Sequence, residues 1–369
     1  MLPTNITYKP TVAIKPGEFL KEALGDLGMS QTEFSERINR PQKTVNEIIS
    51  GKTAITAETA LQFEKVLNIP AHYWSNLQTQ YQEIVTRQVE EDRMASMVEE
   101  AKNYPYAQMA KFGWVEDAKD EVERVKNLLV FFGVTVFKNV HEKKLLNGVN
   151  FRVSEKKTCL IPSMAAWLRQ GVIQGRKVEV SEYTQKKLKA AIPEIRKMSL
   201  ITDPDEMLKK LGDTLAECGV VFVLTKNLTN TPINGATRWI NKNPLLQMTI
   251  RNAWVDIFWF TLFHEIGHVL QTGKSDFNID VNNGIGIRNQ AEEDADNFSQ
   301  ETLIPDTQYY KKLVEFIKTN GAFGKSKDAV VFFAKQIDIH PGVVVGRLQH
   351  EGVLGRNQFN DLRVRYSWK

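Results

Sequence analysis

The stretch FWFTLFHEIGHVL (258–270) constrains this chain more than any other. It is apolar enough to demand burial, yet His264, Glu265 and His268 sit in its middle. Burying three ionisable side chains without partners is costly, so the fold must supply compensation. Histidines at i and i+4 share one face of a helix about one turn apart, where both imidazoles reach a single ion. Glu265, next to the first histidine, is placed to take a proton from a water on that ion instead of binding it. The stretch is therefore expected to be a zinc (Zn2+) helix starting near Trp254, with Glu265 as the catalytic base.

A catalytic zinc site takes three protein ligands and leaves a fourth position for water. Downstream, NQAEEDADNFSQETLIP (289–305) reads as an acidic helix with Ala291, Ala295, Phe298 and Leu303 on its apolar side. Glu292 and Asp296 share a face. Glu292 is the expected third ligand, and Asp296 the acceptor for the free ring nitrogen of one histidine. Glu293 and Asp294 compete for the ligand position, because one residue turns a helix by only about 100°. Arg238 and Arg251 are candidates for stabilising an oxyanion.

Residues 14–82 read as five short helices. KPGEFLKEALGDLG carries Phe19, Leu20, Ala23, Leu24 and Leu27 at helical spacing and stops at Gly28. SQTEFSERI opens on Ser30 with Glu33 three later, the form of a capping box. NRPQKTVNEIIS ends at Gly51, Thr56 caps TAETALQFEKVLN, and PAHYWSNLQTQY closes the set. The second and third have the form of a helix-turn-helix: Ser35 is small where the helices approach, and Asn39 tolerates a left-handed turn. Val45, Ile48 and Ile49 would face inward, leaving Gln42, Lys43 and Asn46 outward with Glu47 at the margin. Gln and Asn can pair with adenine, Lys with guanine or phosphate. Charge does not favour DNA: through residue 82 eight basic residues face eight acidic ones, so a helical bundle that ignores nucleic acid stays open.

At 369 residues the chain exceeds what one core usually serves, which implies two or three domains. Between the two motif regions, residues 83–200 are mostly helical and charged, as expected of a connector. CGVVFVL (218–224) and LLQMTIR (245–251) read as strands, so the fold class is mainly α with a small β-sheet, α+β. LLQMTIR is either an ordinary core strand or the strand on which an extended substrate lies. Apolar residues make up 42% of the chain, but the longest apolar run is too short to span a bilayer and contains Asp256. No export signal is legible at the N-terminus, and Cys159 and Cys218 form no metal-type pair. Both features fit a cytoplasmic protein with free thiols. The net charge of +4 permits a polyanionic partner without requiring one.

GATRW (235–239), LLQMTIR, FWFTLFHEIGHVL and EEDADNFSQETLIP, in this order, resemble the ImmA/IrrE zinc metallopeptidases, and HPGVVVGRLQHEGVL (340–354) resembles the helical segment that follows their core. That resemblance implies a zincin-like peptidase that cleaves one dedicated protein, typically a repressor. Where the family usually has Asn, this chain has Asp296, which keeps an acceptor. Residues 15–81 resemble the HigA/VapI antitoxin branch of XRE-type helix-turn-helix regulators, which implies DNA contacts at Gln31, Gln42, Lys43, Thr44 and Asn46 and a homodimer on a palindromic operator. The organisation expected is a helix-turn-helix domain (1–82), the connector (83–200), a peptidase core (201–310) and its C-terminal helical segment (311–369). The function expected is a regulator that binds operator double-stranded DNA and cleaves a regulatory protein. An antitoxin that represses its own operon and neutralises a toxin, its zinc non-catalytic, is the alternative. A third possibility is a protease whose helix-turn-helix docks onto a repressor of similar fold.

His72 reads as packed in the fifth helix, and His340 and His350 as surface or capping residues. Trp239, Trp254 and Trp259 are expected in cores, and the basic end RVRYSWK as a solvated tail.

Overall fold

The computed structural model describes residues 12–140, 161–229, 231, 233–249, 254–271, 278–281, 290–321 and 324–366. The chain divides into two compact units, Met1–Val98 and Glu99–Lys369. Cys159 and Arg251 lie outside the described residues, and Cys218 is a buried free thiol.

The first unit is built from α1 (Pro16–Asp26), α2 (Gln31–Arg37), α3 (Gln42–Ile49), α4 (Ala57–Leu67) and α5 (Ala71–Ser96). Their starts follow from local chemistry. Ser30 and Thr56 accept the backbone N–H of Glu33 and Thr59 at 3.1 and 3.2 Å. Pro41 and Pro70 precede α3 and α5 with φ already near helical values. The reciprocal half of the expected capping box is absent, because the Glu33 carboxylate accepts from Arg37 at 2.6 Å instead. Leu20, Phe34, Val45, Ile48, Phe63 and Trp74 meet in one core. α1 lies close on α3 because position 17 is glycine: a Cβ there would stand 2.4 Å from the Ile48 carbonyl oxygen. Asn39, in the turn between α2 and α3, takes φ 53°. No glycine or proline interrupts residues 82–96, and α5 runs without a break past position 82 to Ser96.

The second unit continues with α6 (Val98–Ala101), α7 (Tyr106–Lys111), α8 (Glu121–Phe132), α9 (Ile161–Gly175), α10 (Gln185–Lys197) and α11 (Pro204–Glu217). Then come β1 (Val221–Thr225), β2 (Ile233–Ile240), β3 (Asn243–Thr249), α12 (Val255–Gln271) and β4 (Asn278–Val281). It ends in α13 (Gln290–Leu303), α14 (Gln308–Asn320), α15 (Gly324–Gln336) and α16 (Pro341–His350). The sheet order is β1-β3-β2-β4, with β1 parallel to β3 and the other pairs antiparallel.

Alternation along the strands gives the sheet two different faces. Leu246 and Met248 face a core shared with Trp259, Phe263 and Val343. Val221, Val223 and Leu245 face Val172 of α9. α9 lies so close that a Cβ on Gly171 would stand 1.9 Å from Gln247 Oε1, and Gln247 ties the layers by donating to the Trp167 carbonyl at 2.7 Å. Part of the expected connector therefore packs on the sheet. β3 lies between β1 and β2, which corrects the idea that LLQMTIR receives a substrate strand: residues 245–248 of it are paired on both sides.

Residues 363–366 of the tail pack onto the second unit, although Val364 and Arg365 stay exposed. Arg363 makes a double hydrogen bond to Asp256 at 2.9 and 2.8 Å, and Arg363 and Arg365 both stand over the Trp254 ring. The Val255 N–H donates to the Val364 carbonyl at 2.9 Å, and Trp259 donates to the Tyr366 hydroxyl at 2.8 Å. These contacts fix the start of α12. Trp259 is fully buried, whereas Trp239 and Trp254 are only half-buried. His72 is exposed, contrary to expectation, and so is His350; His340 caps α16, its Nδ1 accepting from Gly342 N–H at 3.0 Å. No single described helix is long and apolar enough to cross a membrane.

Candidate metal centre and nucleic-acid interface

α12 and α13 build the candidate metal centre, and small residues let them meet. A Cβ on Gly267 would stand 3.2 Å from Ala295 Cα, and buried Ser299 of α13 donates to the Phe260 carbonyl at 2.9 Å. The helical spacing in HEIGH puts His264 Nε2 and His268 Nε2 3.0 Å apart. Glu292 reaches them from α13, its Oε2 3.4 Å from His264 Nε2 and its Oε1 3.3 Å from His268 Nε2. One ligand atom from each of the three lies within 4.8 Å of the other two. Glu293 and Asp294 are exposed on the same helix, and Asp294 accepts from Gln290 at 2.8 Å.

His264 Nδ1 lies 2.9 Å from Asp296 Oδ1, so the carboxylate holds the ring with Nε2 toward His268 and Glu292. Burial works to raise the Glu292 carboxyl, but hydrogen bonds from His264 and His268 outweigh it and hold the group down at about 2. An ionised carboxylate facing two imidazole nitrogens is the donor set that zinc takes in hydrolytic sites, so these residues fit the metal.

Glu265 stands outside this set. It is fully buried, and its Oε2 accepts from the Thr237 hydroxyl of β2 at 2.5 Å. Gly235, two residues earlier on the same face of β2, has no side chain to obstruct it: a Cβ there would stand 2.5 Å from Glu265 Oε1. The sequence marks Gly235 and Thr237 only as part of GATRW and gives them no role, since strand register alone brings them to α12. Arg238 alternates to the other face of β2. Burial first, then the charges of Arg169 on α9 and Arg176 just beyond its end, lower its pKa, so it stands on the α9 side of the sheet and not beside Glu265.

In the first unit α3 presents Gln42, Lys43 and Asn46 to solvent, while Gln31 and Thr44 are half-buried. Val45 and Ile48 are buried beneath them and Ile49 is half-buried. Gln42 is pre-oriented, its Nε2 donating to Thr32 Oγ1 of α2 at 2.9 Å. Lys43 Nζ lies 3.9 Å from Glu47 Oε1, too loose a pairing to hold it from a phosphate.

Residues 20–74 match the family model Helix-turn-helix (HTH_3). The chain is 31% identical over 64 residues to the uncharacterized HTH-type transcriptional regulator YddM of Escherichia coli K12, covering 17% of this chain and 68% of that one. It is 36% identical over 70 residues to virulence-associated protein I of Dichelobacter nodosus, covering 19% and 65%. A solved addiction module antidote protein of the HigA family from Coxiella burnetii shares 32% identity over 23% of this chain and 92% of its own, with a TM-score of 0.22. The chain spans about two thirds of the length of the curated relatives it matches.

Proposed function

We propose, from the premise that this chain belongs to the XRE-type helix-turn-helix family through its N-terminal domain and is a DNA-binding regulator, that its second unit is a zinc-dependent endopeptidase cleaving a specific regulatory protein. The observation that carries this reading is the convergence of His264, His268 and Glu292 with Glu265 beside them and outside the ligand set. A structural zinc site closes its coordination with a fourth side chain and has no need of a base. Among the described residues this cluster has three ligands.

Bound by these three residues, zinc supplies Lewis acidity, acidifying a water and polarising a peptide carbonyl. Glu265 takes the proton of the attacking water and returns it to the leaving amine. Asp296 keeps the His264 ring in register. The resemblance to ImmA/IrrE peptidases supports a single protein substrate, such as a repressor. Gln42, Lys43 and Asn46, aided by Gln31 and Thr44, would read an operator as parts of a homodimer in the cytoplasm.

New protein N-termini compared by mass spectrometry in cells carrying the wild type or Glu265→Gln, with and without DNA damage, test the enzyme. A fragment formed only with the wild type is expected; identical profiles in every condition would sink the peptidase. The resemblance of residues 15–81 to the HigA/VapI branch supports a second reading, an antitoxin and autorepressor with a non-catalytic zinc, and identical profiles would leave that one standing.

A further inference from the structure

The surroundings of Glu265 hold more order than burial of a carboxylate requires. Both of its oxygens lie against β2: Oε2 on the Thr237 hydroxyl at 2.5 Å, Oε1 over the notch at Gly235. A hydroxyl donating to a carboxyl oxygen at this length is at the short end of the O–H···O range. β2 is itself fixed, since Gly235 pairs with Met248 and Thr237 with Leu246 of β3, and Leu246 and Met248 are buried in the core that holds α12. Thr237 is 1% exposed, so water does not compete for its hydroxyl.

We propose that β2 positions the base: the Thr237 hydroxyl is a positioning group that sets where the Glu265 carboxylate stands relative to a ligand on the metal, and Gly235 leaves the space in which it does so. This inference rests on the peptidase reading of the same site. If the hydroxyl only satisfied a buried carboxyl group, its loss would lower stability and leave ligand binding at the metal unchanged. If it positions the base, its loss weakens any ligand that hydrogen-bonds to Glu265 while zinc affinity stays as it was.

The test is calorimetric titration of acetohydroxamate into the zinc-loaded full chain, because a hydroxamate chelates zinc and also hydrogen-bonds a neighbouring base. Glu265→Gln is expected to weaken acetohydroxamate. Thr237→Val should weaken it by up to about tenfold, the scale of a lost hydrogen bond. Thr237→Ser, which keeps the hydroxyl, should restore binding, and zinc affinity measured against a chelator should be alike in all four proteins. Gly235→Ala, whose Cβ presses on the Glu265 side chain, should weaken acetohydroxamate as well and serves if Thr237→Val does not fold. Wild-type affinity in Thr237→Val or, where that variant does not fold, in Gly235→Ala, alongside a loss in Glu265→Gln, overturns the role of β2 and leaves the peptidase reading intact. Equal affinity in wild type and Glu265→Gln overturns both.

Discussion

His264 and Asp296 meet where α12 crosses α13, Nδ1 to Oδ1 at 2.9 Å, and this contact decides which ring nitrogen faces Glu292. Groups that orient a metal-binding histidine are typically worth about tenfold to a hundredfold in metal affinity. Asp296→Ala should lose zinc affinity on that scale in a chelator competition. Asp296→Asn keeps an acceptor and should stay near the wild type. Equal losses in both would show that charge, not orientation, is what Asp296 contributes.

Gly267 keeps the two helices close enough for Glu292 to reach both histidines. Gly267→Val inserts atoms where even a Cβ would stand 3.2 Å from Ala295 Cα. Overpacking of this kind costs about 1–3 kcal/mol, and here it also moves the third ligand outward. Both a lower melting temperature and a weaker zinc affinity are expected. A variant that loses stability alone would mean that Glu292 follows the histidines by some other route.

The Asp256–Arg363 pair, with 12% of each side chain exposed, joins the C-terminal tail to the first turn of α12. Removing one partner of a buried ion pair leaves a desolvated charge, at a cost of about 3–5 kcal/mol. Arg363→Ala should unfold the second unit at clearly lower denaturant than the wild type. A loss under ~1 kcal/mol would mean the pair behaves as a surface contact.

The cluster of His264, His268 and Glu292 was legible because a helix is a local object. His264 and His268 follow from i, i+4 spacing, and Glu292 with Asp296 from the same rule on α13. The five N-terminal helices were legible for the same reason, through Ser30, Thr56 and the prolines that open them. What spacing does not encode is which strand lies beside which helix. Thr237 meets Glu265 across 28 positions through strand register, and Arg363 meets Asp256 across 107. The tail read as solvated because charge pattern alone does not show that its arginines have a buried acid and an aromatic ring to cover.

Tyr366 adds a pH dependence to that tail. Burial pushes its phenol up, the hydrogen bond from Trp259 offsets part of this, and the result is about 12 against an ordinary value of 10.0. A raised folded-state pKa gives stability that is whole below the unfolded value and is lost as pH rises through the folded one. The wild type should therefore lose stability between about pH 10 and pH 12, and Tyr366→Phe should flatten that decline. At neutral pH the same variant should be less stable by about 1–3 kcal/mol, since the buried Trp259 N–H loses its acceptor. Parallel alkaline melting curves would show that Tyr366 ionises as freely in the folded chain as in the unfolded one.

On α3, Gln42 and Lys43 are neighbours with different expected effects on DNA. Gln42 is held by Thr32, so it would meet a base edge already oriented, and a good amide–adenine pair contributes about 1–3 kcal/mol of discrimination. Gln42→Ala should therefore relax the preference at one operator position and leave the salt dependence unchanged. Lys43 is exposed and only loosely paired with Glu47. If it lies on a phosphate, Lys43→Ala weakens binding evenly across sequences and lowers the slope of log K against log salt by about 1. Operator selection with each variant, repeated at two salt concentrations, separates the roles. A relaxed base preference in Lys43→Ala with the salt slope intact would move Lys43 from the backbone to a base edge.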